Sequence, residues 1–289
     1  MNASRLLACV AGWLLLVAVP ACARPPLWIA HGRHSTIYLF GSVHLLPSGV
    51  DWAPPQLVTA LPKAREIWFE LPIDETTDRA AEKLTAAFGY LPPGDKLKNH
   101  LSAEQDARLK RVTTQLGLDY GAVESMQPWL AEVTLSLTVD EQDGAAATRG
   151  VEQQLQGLTP LSAQRRAFET PAEQIGFLAG ALLSDQIASL DATLNEITDD
   201  PGAFTRMLNG WMGGDLRELD ADALEPLCRA SPALYRRVIT DRNARWADQL
   251  HRRLEGRGIV VVVVGMGHLI GPQGVPARLR AMGVAVDGP

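Results

Sequence analysis

The chain has little cysteine, no excess of basic charge and, past its opening residues, no long apolar run. Its three cysteines stand at positions 9, 22 and 228, so only Cys228 lies beyond the opening segment and a disulfide framework is excluded. That thiol reads as packing rather than chemistry. With 27 basic against 33 acidic residues the net charge is −6, which argues against a surface built for nucleic acid or anionic lipid. Low-complexity tracts are also missing.

The one long apolar run is at the start. Arg5, then Leu6 to Val19, then Ala21-Cys22-Ala23 have the form of a secretory signal: a positive residue, an apolar stretch too short to span a bilayer, and small residues at a cleavage site. Cleavage after Ala23 is expected, giving a periplasmic or secreted protein with no transmembrane segment and one domain over 24–289. Cys22 offers lipoprotein anchoring as the alternative, although Pro20 fits that motif poorly. Loss of the segment removes one arginine and no acid, so the net charge moves to −7.

Leu27-Trp28-Ile29 and Ser35 to Phe40 read as a hairpin about the turn His31-Gly32-Arg33-His34. A loop with His44, a proline-opened helix from about Pro55 to Lys63 and the apolar run Glu66-Ile67-Trp68-Phe69-Glu70 follow. Strand, helix and strand predict a right-handed crossover and a parallel pair, with His44 and Glu70 just past the carboxyl ends of neighbouring strands. From about 74 to 258 the pattern is helical, with Ser102 and Gln105 reading as a capping box and Asp140 to Gly144 as an exposed loop. Thr170-Pro171-Ala172-Glu173 and Ser231-Pro232 open further helices, the second running to about Glu255. A short strand near 165–169 interrupts this insertion. Ile259 to Val264 is the β-branched run of a strand buried on both faces, followed by His268 and a last helix from about Gln273 to Met282. The expected fold is α/β: a mixed, largely parallel sheet formed by the N- and C-terminal segments, with a large helical insertion.

In open α/β sheets ligands bind beyond the carboxyl ends of the strands, which is where His44, Glu70 and His268 fall. Gly41-Ser42-Val43-His44 and Gly265-Met266-Gly267-His268 share one phrase, in which the glycine lets the backbone leave its strand sharply. One such histidine alone reads as a loop residue bonded to backbone, and Glu70 alone as a solvated strand-end acid. Two imidazoles and a carboxylate together suffice for a catalytic zinc with an open position for water.

Arg242 lies in the i, i+4 row Leu234, Val238, Arg242, Trp246, Leu250. A guanidinium in an apolar stripe needs a carboxylate or a substrate group opposite it, unless it snorkels from the stripe edge. Asn243 is positioned to present its amide to the same crevice. Glu169, ahead of a helix start, reads as a partner for Arg242, as an acid or base, or as a charge on the helix dipole alone. His31, His34, His100 and His251 read as solvated. Gly210 to Asp215 lacks the lysine and the preceding strand of a phosphate loop.

Seven short motifs stand in one order: Gly41-Ser42-Val43-His44, Phe69-Glu70, Gln127-Pro128-Trp129, Gly150-Val151-Glu152, Glu169-Thr170 with Gln174, Asp241-Arg242-Asn243 with Trp246, and Gly265-Met266-Gly267-His268-Leu269. In that order they resemble the TraB/GumN family, over essentially the whole chain past residue 23. The resemblance implies a Tiki-like, erythromycin-esterase-like fold. In members similar to metal-dependent proteases, the two Gly-x-x-His motifs and the intervening glutamate form the active site. Carried over, this puts His44, Glu70 and His268 on the metal, with Arg242, Asn243 and Glu169 in support. Ser42 stands where threonine is common and Glu152 where aspartate is common; neither is expected to touch the proposed ligands.

The leading expectation is an exported, metal-dependent hydrolase acting on a peptide or a small ester or amide, holding a divalent ion such as zinc, manganese or cobalt. In it Arg242 and Asn243 orient substrate or stabilise an oxyanion. One alternative is a metal-independent, esterase-like reaction with His44 or Glu70 as general base. The family's pheromone-shutdown and polysaccharide-cluster members suggest another, a non-catalytic protein that sequesters a ligand in the same crevice.

Overall fold

A computed structural model describes residues 24–289. The expected signal, residues 1–23, lies outside the described residues. Strands β1 (Leu27–His31), β2 (Ser35–Ser42), β3 (Ala64–Phe69), β4 (Gln164–Ala167), β5 (Gly258–Gly265) and β6 (Ala285–Asp287) form one sheet in the order β4-β3-β5-β2-β1-β6. β4, β3, β5 and β2 run parallel, and β1 runs antiparallel between β2 and β6. The mixed, largely parallel sheet expected from the sequence is present.

One adjacency differs. β5, not β3, pairs with β2, so the ends that bear His44 and Glu70 are separated by a strand. The reason is apolar area: Val260 to Val264 are all buried, and a strand with two apolar faces and no tolerance for a free edge is stabilised most by a central place. The opposite case is β4, where Gln164, Arg165 and Arg166 are exposed and charge guards an edge.

Around the sheet and in the insertion lie helices α1 (Pro55–Ala60), α2 (Glu75–Phe88), α3 (Ala103–Gln115), α4 (Pro128–Gln142), α5 (Val151–Leu158), α6 (Pro171–Ala179), α7 (Leu183–Asp199), α8 (Ala203–Gly213), α9 (Asp241–Leu254) and α10 (Val275–Ala281), besides shorter turns. Both expected capping boxes form, Ser102 with Gln105 and Thr170 with Glu173. A second core lies away from the sheet, where Leu109, Leu135, Leu190 and Leu194 of α3, α4 and α7 are fully buried. Val139 packs against that core and keeps α4 helical as far as Gln142, so Asp140 to Gln142 are not loop; the chain turns only at Asp143 and Gly144.

The helix expected from Ser231 to Glu255 is interrupted by a π-helical turn, Arg236–Thr240, and α9 starts directly after it. Such turns concentrate at functional positions, and here the next residues are Asp241, Arg242 and Asn243. The stretch Gly210 to Asp215 is structural: Trp211 is fully buried and Asp215 caps the turn that begins at Leu216. Among the described residues no helix is long and apolar enough to cross a membrane.

Candidate active site

The carboxyl ends of the four parallel strands each deliver one polar side chain to a common region. His44 follows β2, Glu70 follows β3, Glu169 follows β4 and His268 follows β5. The two Gly-x-x-His turns pack on each other, because a Cβ on Gly41 would fall 2.7 Å from the sulfur of Met266 in the second phrase. Trp211 Nε1 donates to the Gly41 carbonyl at 2.9 Å and fixes the first turn from outside. Gly265 has an ordinary backbone conformation, φ −50 and ψ 138, so its role is space rather than flexibility. A Cβ there would sit 3.2 Å from Glu70 Oε1, 3.6 Å from His44 Nε2 and 3.8 Å from His268 Cδ2. Three of the predicted residues thus converge on the volume that Gly265 leaves open.

Arg242 is the buried hub of the remainder. Its Nε donates to Glu169 Oε1 at 2.9 Å, its Nη1 to the Val238 carbonyl and to His268 Nε2 at 3.0 Å each, and its Nη2 to Glu70 Oε2 at 2.6 Å and Glu169 Oε2 at 2.8 Å. A guanidinium has five N–H groups, and every one is engaged. The snorkelling alternative is therefore wrong, since the side chain is only 8% exposed. The expectation that Arg242 meets substrate is not met as the residues stand, because no N–H is left to offer. Asn243 is likewise fully buried, with Oδ1 accepting from His268 Nδ1 at 2.6 Å and Nδ2 donating to the Gln273 carbonyl. Glu169 is also enclosed, bonded to Arg242 and Trp246 Nε1. These three hold the site rather than line it.

The hydrogen bonds fix the state of His268. Arginine only donates, so Nε2 facing Nη1 is an unprotonated acceptor and the proton is on Nδ1, facing Asn243. Burial, followed by the charges of Arg242 and His44, holds this imidazole down to about 3 against the pull of Glu70. Its ring lies at the end of a row Trp68, Phe168, Trp246, tilted 45° to the Trp246 ring with 4.4 Å between their centroids.

His44 is the opposite case. Its side chain is 63% exposed, and Nδ1 meets Glu152 Oε1 at 2.8 Å. The Glu152 charge raises its pKa to about 9, so His44 is an imidazolium at neutral pH. Glu70 is driven down to about 2: burial opposes ionisation, but the charges of His268, Arg242 and His44 and the Gly265 N–H on Oε1 at 2.7 Å outweigh it. Where His268 is neutral, Arg242 and His44 are the charges that act on it.

A sequence model of the TraB/PrgY/gumN family matches residues 26–287. The chain belongs to that family. It is similar to the "Uncharacterized protein YbaP" of Shigella flexneri and to that of Escherichia coli (strain K12), each 26% identical over 251 residues that cover 86% of this chain and 88% of the relative. No solved structure gives a significant match.

Within this TraB/PrgY/gumN chain the two departures from the family pattern prove to matter. Ser42 Oγ donates to Glu152 Oε1 at 2.5 Å, and Glu152 in turn holds His44. The expectation that neither residue touches a proposed ligand is corrected: β2 and α5 are far apart in sequence and meet only through tertiary packing. Gln174, quoted only as part of a motif, donates to Glu70 Oε2 at 3.2 Å. The four other histidines stay outside the site, although His31 and His100 are hydrogen-bonded to Asp287 and Asp95 rather than merely solvated.

Among the described residues no three His, Cys, Asp or Glu side chains are grouped closely enough to hold a metal as they stand. The donor set has the right chemistry nonetheless. Each imidazole is tied by Nδ1 to an oxygen and turns Nε2 toward the Gly265 volume or its rim, the arrangement in which outer residues orient metal-ligating histidines. Among the described residues His44 Nε2 has no hydrogen-bond partner, whereas His268 Nε2 is occupied by Arg242 Nη1.

Proposed function

We propose that this TraB/PrgY/gumN chain is an exported, metal-dependent hydrolase acting on peptide-like amides or esters, with His44, Glu70 and His268 holding a divalent ion. The observation that carries the reading is the convergence of His44 Nε2, Glu70 Oε1 and the His268 ring within 4 Å of one point over Gly265, with both Nδ1 atoms tied back. A zinc, manganese or cobalt ion bound there would polarise the scissile carbonyl and acidify its water. The chain's own contribution is orientation: Glu152 aims His44, Asn243 selects the His268 tautomer that leaves Nε2 bare, and Arg242 with Glu169 keeps Glu70 ionised in a dry setting. His44 is the member open to solvent, so substrate approaches from its side. A Tiki-like, erythromycin-esterase-like arrangement of this sheet accords with the reading.

Metal analysis of the purified protein, exchanged against zinc, manganese or cobalt, tests it together with His44→Ala and His268→Ala. About one ion per chain is expected, lost in both variants along with hydrolysis of a peptide library. A chelator-treated protein that cleaves at an undiminished rate would overturn the metal. The raised proton affinity of His44 favours a second reading, in which a metal-free crevice uses that imidazolium as an acid or holds a ligand without turnover. Absence of both metal and hydrolysis would select the non-catalytic form.

A further inference from the structure

Gln174 is joined to the site by a single side-chain hydrogen bond, from its Nε2 to Glu70 Oε2 at 3.2 Å. That bond fixes which end of the amide faces where. Glu70 is ionised and can only accept, so the end beside it is the NH2 group and the carbonyl Oε1 is turned away from the carboxylate. A primary amide can donate two hydrogen bonds and accept two. Among the described residues only one donor is used: the second N–H and both lone pairs of Oε1 have no partner. Nor is Oε1 sealed away. The buried side-chain atoms without a partner are on Glu124 and Arg253, and Gln174 is half-buried, so a ligand can reach its carbonyl.

The amide is carried on a fixed element. At the start of α6 the capping box of Thr170 and Glu173 holds the first turn, and Gln174 follows it directly. At the other end Arg237 donates from Nε to the Phe177 carbonyl and from Nη2 to the Gly176 carbonyl, at 2.7 Å each. Phe177, three residues beyond Gln174 and on the same helix face, has the Arg242 guanidinium 5.4 Å and the Arg245 guanidinium 5.1 Å from its ring centre. A side chain on a helix held in this way is suited to orienting a ligand. It is also available where Arg242 and Asn243, expected to do so, are buried among their own partners. A free carbonyl beside a free N–H on one planar group complements a main-chain amide edge, which offers an N–H and a C=O. An edge without the N–H leaves Oε1 unmet.

We infer that Gln174 is a specificity-determining residue of the crevice: its Oε1 accepts a main-chain N–H of the ligand while its second Nε2 N–H meets a ligand carbonyl, so a ligand lacking that N–H is disfavoured. The inference rests on the reading that the crevice over Gly265 receives peptide-like compounds, with or without turnover. Calorimetric titration of the full chain tests it with acetyl-trialanine amide and with the same peptide methylated at one backbone nitrogen at a time. In the wild type, methylation at one of these nitrogens should weaken binding about fivefold, the worth of one neutral hydrogen bond. In Gln174→Met, which keeps the length and loses both polar atoms, parent and methylated peptides should bind alike. Methylation alters the free peptide equally in both titrations, so the difference between the proteins isolates the contact. A Gln174 that only supports Glu70 would change the affinity for every peptide together and leave their ratio as in the wild type; that result overturns the role, as does a wild type with no saturable binding. Gln174→Ala repeats the comparison without the bulk of methionine, and melting curves check that both variants fold. Metal content and peptide cleavage are read on the same samples: an N–H preference that is lost with Gln174, in a protein with neither metal nor cleavage, supports this residue's role and counts against the hydrolase alone.

Discussion

Replacing Arg242 with methionine removes the one group that faces Glu70, Glu169 and His268 together, while roughly keeping side-chain volume. The Glu70 and Glu169 side chains are 12% and 2% exposed, so the variant leaves two carboxylates in a water-poor region without their main counter-charge. Breaking a buried pair by deleting one partner costs about 3–5 kcal/mol, and two orphaned acids place this case near the top of that range. Against a typical total of roughly 5–15 kcal/mol the loss is severe. At about 2–4 °C per kcal/mol for a chain of this size, the melting temperature should fall by roughly 8–20 °C. The assay is urea unfolding of wild type, Arg242→Met, Glu169→Gln and the double variant at pH 7. Because Glu169→Gln removes one of the orphaned charges, the double variant should be less destabilised than the sum of the singles by about 2 kcal/mol. An Arg242→Met protein within about 1 kcal/mol of wild type, or strictly additive variants, would refute the buried-hub account.

Four further outcomes follow from the same geometry. Gly265→Ala should fold normally, since φ −50 suits any residue, yet weaken metal uptake or turnover by crowding Glu70 Oε1, whereas Gly41→Ala should destabilise the fold by forcing Cβ into Met266; melting curves beside metal titrations separate the two. Glu152→Gln should lower the His44 pKa from about 9 toward its ordinary value, measurable by proton NMR titration, and reduce metal affinity by about 10–100-fold. For pH, His44 takes its proton more tightly folded than unfolded, so its stabilisation is complete below pH 6.5 and lost as pH rises to about 9; urea midpoints of the wild type should fall across that window more steeply than those of His44→Gln. His268 has the opposite sign, with stability lost as pH falls from 6.5 toward about 3 while the unfolded chain alone is protonated, and a midpoint that rises on acidification would contradict its buried neutral state.

What the sequence discloses is what local pattern can carry. The five consecutive valines require a central strand wherever they are placed, Thr170-Pro171-Ala172-Glu173 closes its own capping box, and the two glycine-histidine phrases mark strand ends. The missed features depend on who meets whom. Insertion of β5 between β2 and β3 is decided by apolar area summed over distant segments, and the π turn at Arg236–Thr240 departs from the helical repeat by one residue, below what periodicity resolves. Saturation of Arg242 required knowing that the residues after β3, β4 and β5 and the π turn ahead of α9 each contribute an acceptor. The contact between Glu152 and His44 spans 108 residues and has no local trace.

The repeated phrase is the strongest case of that limit. Both copies end a parallel strand with glycine, two residues and histidine, yet their imidazoles are driven to about 9 and about 3. Inside the phrases only Ser42, which hydrogen-bonds Glu152, differs in a way that bears on this. The difference comes from the partner on each ring: a carboxylate, Glu152, on one, and an amide oxygen with a guanidinium, Asn243 and Arg242, on the other. Opposite shifts in two like-spaced motifs mean that at neutral pH one histidine carries a proton and the other a bare lone pair, with Glu70 ionised between them. If His44 and His268 held a divalent ion as proposed, the proton on His44 and the Arg242 donor on His268 Nε2 would each compete with it, for different reasons. Glu70 differs from both: its Oε1 accepts only the Gly265 N–H among the described residues, so its charge would meet the least competition there.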